Sequence, residues 1–121
     1  MDFEVASFWS GTQLSYFEHL CIKSFVDNGY KFHLFTKADV GNIPDYVEHH
    51  DADEIYSQDE ITNSDAHYSN AVYSDIWRIH LMQKTDFMWV DLDVYCLRRI
   101  DYQKDCYFGR NFKKGMMSNC V

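Results

Sequence analysis

Asp86-Phe87-Met88-Trp89-Val90-Asp91-Leu92-Asp93-Val94-Tyr95-Cys96-Leu97 is the most apolar strand candidate in this chain. A nearly unbroken apolar run is what a strand covered on both faces requires, and such strands belong to parallel sheets. Two aspartates interrupt the run. Carboxylates are costly to bury unless they are paired or bind a metal. Residues two apart on a strand point to the same side, so as strand residues Asp91 and Asp93 converge on one point. That point lies near the carboxyl end of a central strand, where open α/β sheets place their ligands. Two carboxylates with open positions suit Mg2+ or Mn2+, with diphosphate oxygens and water completing the shell. The other reading ends the strand at Val90 and makes both aspartates solvated turn residues.

The segment just before this run, Asn70 to Lys84, is the clearest helix. Val72, Ile76, Ile79 and Met82 recur along one stripe of it. Ser74, Asp75 and Arg78 fall within about one turn, and Asp75 and Arg78 face the same way at i, i+3. They form either an exposed intrahelical salt bridge, which does little, or the border of a cleft shared with Asp91 and Asp93. Further back, Phe3 to Trp9 reads as a short strand that ends at Ser10-Gly11. A helix follows, with Ser15 and Glu18 spaced as a capping box. Phe17, Leu20, Cys21, Ser24 and Phe25 supply its buried face, and Asn28-Gly29 its stop. Tyr30 to Phe35 is a second strand. Strand, helix, strand in so few residues is a βαβ unit, which implies a parallel sheet.

Thr36 to Asp45 is a loop holding Pro44, and Val47 to Tyr56 is ambiguous between strand and polar loop. His49-His50-Asp51-x-Asp53 has the composition of a metal site. Adjacent histidines on a strand point to opposite faces, however, so a shared ion is not expected. Gln58 to Ser69 reads as a polar surface loop. Cys106 to Gly109 and Met116 to Val121 are candidate strands.

The chain has 121 residues, which suits one domain over residues 1–121. Apolar residues make up 46%, enough for a real core, so disorder is not expected. The net charge of −8 gives no electrostatic reason to bind nucleic acid or an anionic membrane. An acidic protein that handles a phosphorylated ligand needs a cation beside it. Cys21, Cys96, Cys106 and Cys120 form no CxxC pair, and no histidine stands at zinc-finger spacing from them. Four reduced, mostly buried thiols in a cytoplasmic protein are expected. Met1-Asp2-Phe3-Glu4 carries no signal-peptide pattern, and no run approaches the roughly 18 apolar residues of a membrane helix.

Ser74-Asp75-Ile76-Trp77-Arg78-Ile79, a short gap, then Trp89-Val90-Asp91-Leu92-Asp93-Val94 resembles a sequence block of the GT-A glycosyltransferases. The closest likeness is to the group with the capsular-polysaccharide enzymes, the yeast outer-chain mannosyltransferases and the clostridial glucosylating toxins. Phe8-Trp9-Ser10-Gly11, Leu14-Ser15, Glu18, Ser24-Phe25 and Gly29 are similar to that group's opening strand and helix. Asp51-Ala52 with Glu54-Ile55 resembles the segment that follows in bacterial members. Where relatives usually carry Gly-Gly before the Asp-x-Asp strand, Lys84-Thr85-Asp86 stands here, and Thr85 and Asp86 also suit a turn.

The resemblance implies a GT-A, Rossmann-like α/β domain: a mostly parallel sheet flanked by helices. It implies a metal-dependent glycosyltransferase using a UDP- or GDP-sugar donor, with retention of configuration. Asp93 would be the direct ligand of Mn2+ or Mg2+, and Asp91 would contact the ribose or the metal through water. Ser74 would belong to the donor-binding residues, and Asp75 and Arg78 would bond the donor sugar hydroxyls and diphosphate region. Trp9 would stack by the base, or else serve only as a core aromatic. Relatives continue past Met117-Ser118-Asn119-Cys120-Val121 into an acceptor-binding half, so a donor half without its acceptor half is expected. Apolar surface left by that absence would favour a homo-oligomer. A non-catalytic sugar-nucleotide binding module, a metal-dependent sugar-nucleotide hydrolase and a structural subunit are the alternatives.

Overall fold

Val5, Ala6, Ser7 and Phe8 are all buried, which a strand achieves only when both sheet faces are covered. They belong to β1, Val5–Trp9. The computed structural model describes residues 4–57, 70–99, 108–110 and 117–120. In it β1 leads through helix α1, Tyr16–Asp27, to β2, Phe32–Thr36, which pairs with it in parallel. β3, Glu48–Asp51, pairs in parallel with β2, and a short 3-10 turn, Ala52–Glu54, follows it. Helix α2, Asn70–Lys84, then returns the chain to β4, Met88–Trp89, beside β1. The sheet is all parallel, in the order β3-β2-β1-β4. β5, Phe108–Arg110, and β6, Met117–Cys120, form a separate antiparallel pair.

The chain moves across the sheet one way through α1 and the other way through α2. Right-handed crossovers then place the two helices on opposite faces, and the packing agrees. Val5, Phe32, Leu34, Met88 and Val90 pack under α1 with Cys21, Ile22 and Phe25. Ala6, Phe8, Phe35 and Trp89 pack under α2 with Tyr73, Trp77 and Leu81. Alternate residues of β1, β2 and β4 thus feed two separate cores. The mostly parallel α/β expectation holds, with two helices as the flanking layers.

The helix boundaries follow their signals. Glu18 accepts a hydrogen bond from the Ser15 N–H at 2.9 Å, one half of the expected box. Asn28 closes α1, and Gly29 takes φ +90°, the left-handed conformation that ends helices. At the end of α2, Thr85 takes the place of a glycine stop. Its hydroxyl and its N–H both donate to the Leu81 carbonyl, at 2.8 and 2.9 Å.

The helix faces differ from expectation. On α1, Phe17 is 71% exposed, and the buried stripe is Cys21, Ile22 and Phe25. On α2, Ile79 and Met82 are 56% and 48% exposed, while Tyr73, Trp77 and Leu81 are buried. Both α2 stripes have helical spacing. The aromatic one faces inward because its polar ends find acceptors there. Trp77 Nε1 donates to the Ala52 carbonyl at 2.9 Å, and Tyr73 Oη to that of Tyr56 at 2.7 Å. The loop expected over Gln58–Ser69 lies outside the described residues. Among the described residues no helix is long and apolar enough to cross a membrane.

Candidate functional site

The carboxyl ends of four parallel strands share one edge of the sheet. β1 ends there at Trp9, β2 at Thr36, β3 at Asp51 and β4 at Trp89. The strand order reverses between β1 and β4: β1 leads outward to β2 and β3, and α2 brings the chain back to β1's other side. Such a switch point is where open α/β sheets form a ligand crevice.

Asp91 and Asp93 stand at this switch point, but not on a strand. β4 ends at Trp89, and Val90 still bonds across to the Ala6 carbonyl at 3.1 Å. Asp91 to Val94 then form a turn closed by the Val94 N–H on the Asp91 carbonyl at 3.2 Å. Strand alternation therefore does not set the directions of these two side chains. Nor is β4 central: among the described strands it pairs with β1 alone, at the sheet edge. The apolar run continues past the strand because Leu92, buried, and Val94 pack into the α1-side core from the turn itself.

Asp91 is tightly held. Its Oδ1 accepts a hydrogen bond from Trp89 Nε1 at 2.9 Å. Arg78 Nη1 lies 3.7 Å from the same oxygen, and Arg78 Nη2 donates to Asp75 Oδ1 at 3.0 Å. The Arg78 guanidinium stands 5.3 Å from the centroid of the Trp89 ring. Asp75, Arg78, Trp89 and Asp91 are one connected cluster on the α2 side of the crest. The Asp75–Arg78 pair is thus more than an isolated bridge on a helix surface. Ser74, half-buried, precedes Asp75 on the same helix. Asp93 is exposed at the tip of the turn.

The turn is anchored from the α1 side as well. Cys21 Sγ lies 3.6 Å from the Asp91 carbonyl oxygen. Burial pushes the Cys21 thiol up to about 12, and the nearby Asp93 and Asp91 charges push the same way. After the turn, the Cys96 N–H donates to Ser24 Oγ at 2.9 Å, and Asn28 Nδ2 donates to the Cys96 carbonyl at 3.1 Å. These bonds lace the outgoing chain to α1.

Trp9 lies on the other face from the Arg78 cluster and is half-buried against the α1-side core. Its Nε1 donates to the Gln13 carbonyl at 2.9 Å. A Cβ on Gly11 would come within 2.9 Å of that nitrogen, so Gly11 lets the indole fold back over the strand end. The structure brings Asp75, Arg78 and Asp91 together. It places Trp9 at the same edge but across the sheet.

Sequence reasoning missed Trp89 and Lys37. Trp89 counted only as an apolar strand residue, although its place two before Asp91 is what aims its N–H at that carboxylate. Lys37 follows β2 directly, lies 5.4 Å from the Tyr73 ring centroid and bonds Asp53. Burial draws the Lys37 ammonium down, but the Asp53 carboxylate and the Tyr73 hydroxyl together outweigh it and hold Lys37 above its ordinary value. A lysine at a strand's carboxyl end was the available signal.

Among the described residues no three His, Cys, Asp or Glu side chains gather to enclose a metal. His49 and His50 do point to opposite faces, bonding Thr36 Oγ1 at 2.6 Å and His33 Nδ1 at 2.8 Å. Two carboxylates at a solvent-facing turn match Mg2+ or Mn2+, which take one or two protein carboxylates and complete their shell with water and phosphate oxygens. Comparison with protein-family models, with curated proteins and with solved structures found no match.

Proposed function

We propose that this chain is a GT-A-type glycosyltransferase domain that binds a UDP- or GDP-sugar with Mn2+ or Mg2+ at the Asp91–Asp93 turn. The observation that carries the reading is the Asp75–Arg78–Trp89–Asp91 cluster at the β1/β4 switch point. The resemblance in residues 74–79 and 89–94 supports it independently.

Asp93, exposed at the turn, is the residue free to ligate the ion directly. Asp91 offers Oδ2, since Oδ1 is held by Trp89. A bound divalent ion neutralises the diphosphate and the charge that grows on it as the glycosidic bond breaks. Arg78 adds a second positive charge beside Asp91, fixed in direction by Asp75 and by the Trp89 ring. Asp75, well exposed, can accept hydrogen bonds from sugar hydroxyls. Trp9 offers an indole at the end of β1 for contact with the base. The half-buried setting of Arg78 and Asp91 strengthens each of these interactions over its value in water.

The test is calorimetric titration with UDP, GDP and their common sugar conjugates, with Mn2+ and with EDTA, on wild type and Asp93→Ala. One nucleotide is expected to bind with Mn2+ only, and Asp93→Ala to lose that binding while remaining folded. Absence of nucleotide binding under every condition would sink the proposal. Sugar release without an acceptor would reassign the site to hydrolysis.

A further inference from the structure

The opposite edge of the sheet holds a second polar constellation on the α2 side. His33, near the start of β2, is almost fully buried. Its Nε2 lies 3.0 Å from Glu4 Oε1, and its Nδ1 lies 2.8 Å from His50 Nε2. The two imidazole planes are within 24° of each other with centroids 5.1 Å apart. They therefore meet nearly edge to edge, nitrogen facing nitrogen. Phe87 stacks on His33 at 4.2 Å and Phe35 on His50 at 4.7 Å, closing the sides with apolar rings.

We propose that Glu4, His33 and His50 form a proton-binding chain that accepts one proton without rearrangement and is broken by a second, loosening the β3 edge of the sheet. Hydrogen-bond roles give the reason. A carboxylate only accepts, so His33 Nε2 carries a hydrogen and donates to Glu4. His33 Nδ1 is then bare and accepts from His50 Nε2–H. A first proton enters at His50 Nδ1 and leaves every bond in place. A second must enter at His33 Nδ1, where it faces the His50 N–H: two donors and two positive charges meet, and the bond fails.

The surrounding charges are few. Lys31 lies near Glu4 and Glu48, at 3.7 and 3.9 Å. Glu48, Glu54 and His49 act on His50 from β3 and the turn after it. Asp86, beside Phe87, is exposed. From α2, His80 lies on the Tyr56 ring and Lys84 bonds the Ile55 carbonyl. Burial holds His50 below its ordinary value, and a charge on His33 lowers it further, so a proton on the chain costs folding stability. The effect reaches beyond β3, because Ala52, one residue past its end, accepts the bond from Trp77 that seats α2.

His50→Gln tests this, because glutamine offers an N–H donor to a bare His33 Nδ1, takes no proton itself, and can turn its amide oxygen to accept from Nδ1 once His33 is protonated. A folded-state affinity held below the unfolded one means that stability is full above the unfolded value and is lost as pH falls through it. Urea unfolding of the wild type from about pH 7 to about pH 5 should show the folding equilibrium constant falling about tenfold. His50→Gln should lose clearly less over the same range. An equal loss in both proteins overturns the proposal. Should His50→Gln fail to fold, imidazole nitrogen NMR of the wild type decides. His33 with a bare Nδ1 at neutral pH supports the chain, and a hydrogen on Nδ1 overturns it.

Discussion

Replacing Trp89 by Phe removes one N–H and leaves a ring beneath Arg78. That N–H is the donor to Asp91 Oδ1 at 2.9 Å. A hydrogen bond to a charged acceptor contributes about 1.5–3 kcal/mol. Asp91 is only partly buried, its side chain 30% exposed, so the lower end of that range applies. About 1.5 kcal/mol corresponds to roughly tenfold in an equilibrium constant. Groups that orient a metal ligand lower metal affinity about 10–100-fold when lost, so a tenfold fall is the expected floor. Once released, Asp91 is free to close the 3.7 Å gap to Arg78, which also turns it from the ion. The assay is Mn2+ binding by calorimetry, with UDP or GDP at saturation. Urea unfolding is measured alongside, because loss of half the indole from the core costs about 1–2 kcal/mol by itself. A variant that unfolds more easily but binds Mn2+ within about threefold of wild type would show that Trp89 packs and does not position.

Two further outcomes follow from single buried groups. Ser7 Oγ is buried on β1 with no hydrogen-bond partner among the described residues. Ser7→Ala therefore removes an unmet polar group, and thermal unfolding should show a gain of about 1 kcal/mol; a loss would mean the hydroxyl has a partner. Cys21, with its thiol pushed up to about 12 by burial, is almost wholly protonated at neutral pH. The thiolate is the reactive form, so iodoacetamide near pH 8 should spare Cys21 in the folded protein and label it after denaturation, as peptide mapping would read; fast labelling in the folded state would contradict the burial.

Helix α2 shows what the sequence could and could not tell. Its ends, Asn70 and Lys84, were legible from composition and pattern alone. Its buried face was not, because Ile76, Ile79 and Met82 repeat as regularly as Tyr73, Trp77 and Leu81. The choice rests on the Ala52 and Tyr56 carbonyls, which lie 25 and 17 residues away in sequence. The run from Asp86 to Leu97 failed in another way. Its apolar character reported burial correctly as far as Leu92, since Met88, Trp89, Val90 and Leu92 are all buried, but Tyr95 and Leu97 are exposed. Burial is not strand, however, and the chain leaves the sheet after Trp89. Periodicity likewise says nothing about Glu4, His33 and His50, whose meeting depends on strand register.

The difference between strand and turn bears on the proposed chemistry. Two carboxylates on a doubly covered strand would both face desolvation, and one would tend to neutralise. In the turn, Asp93 faces water and Asp91 is balanced by Arg78. Arg78 is itself shared, bonded to Asp75 at 3.0 Å and drawn to Asp91 at 3.7 Å. An Asp91 carboxylate engaged on a cation pulls less on Arg78, and its guanidinium then has charge to offer a diphosphate. Cation and diphosphate would thus each make room for the other through one arginine. On the proposed reading this linkage would work in both directions: added nucleotide would tighten Mn2+ binding by the same factor that Mn2+ tightens nucleotide binding. A chain of net charge −8 needs some such arrangement to hold a polyanion at all. The Asp75–Arg78–Asp91 chain would supply it with residues that adjoin in the fold and come from the turn after one strand and the helix before it.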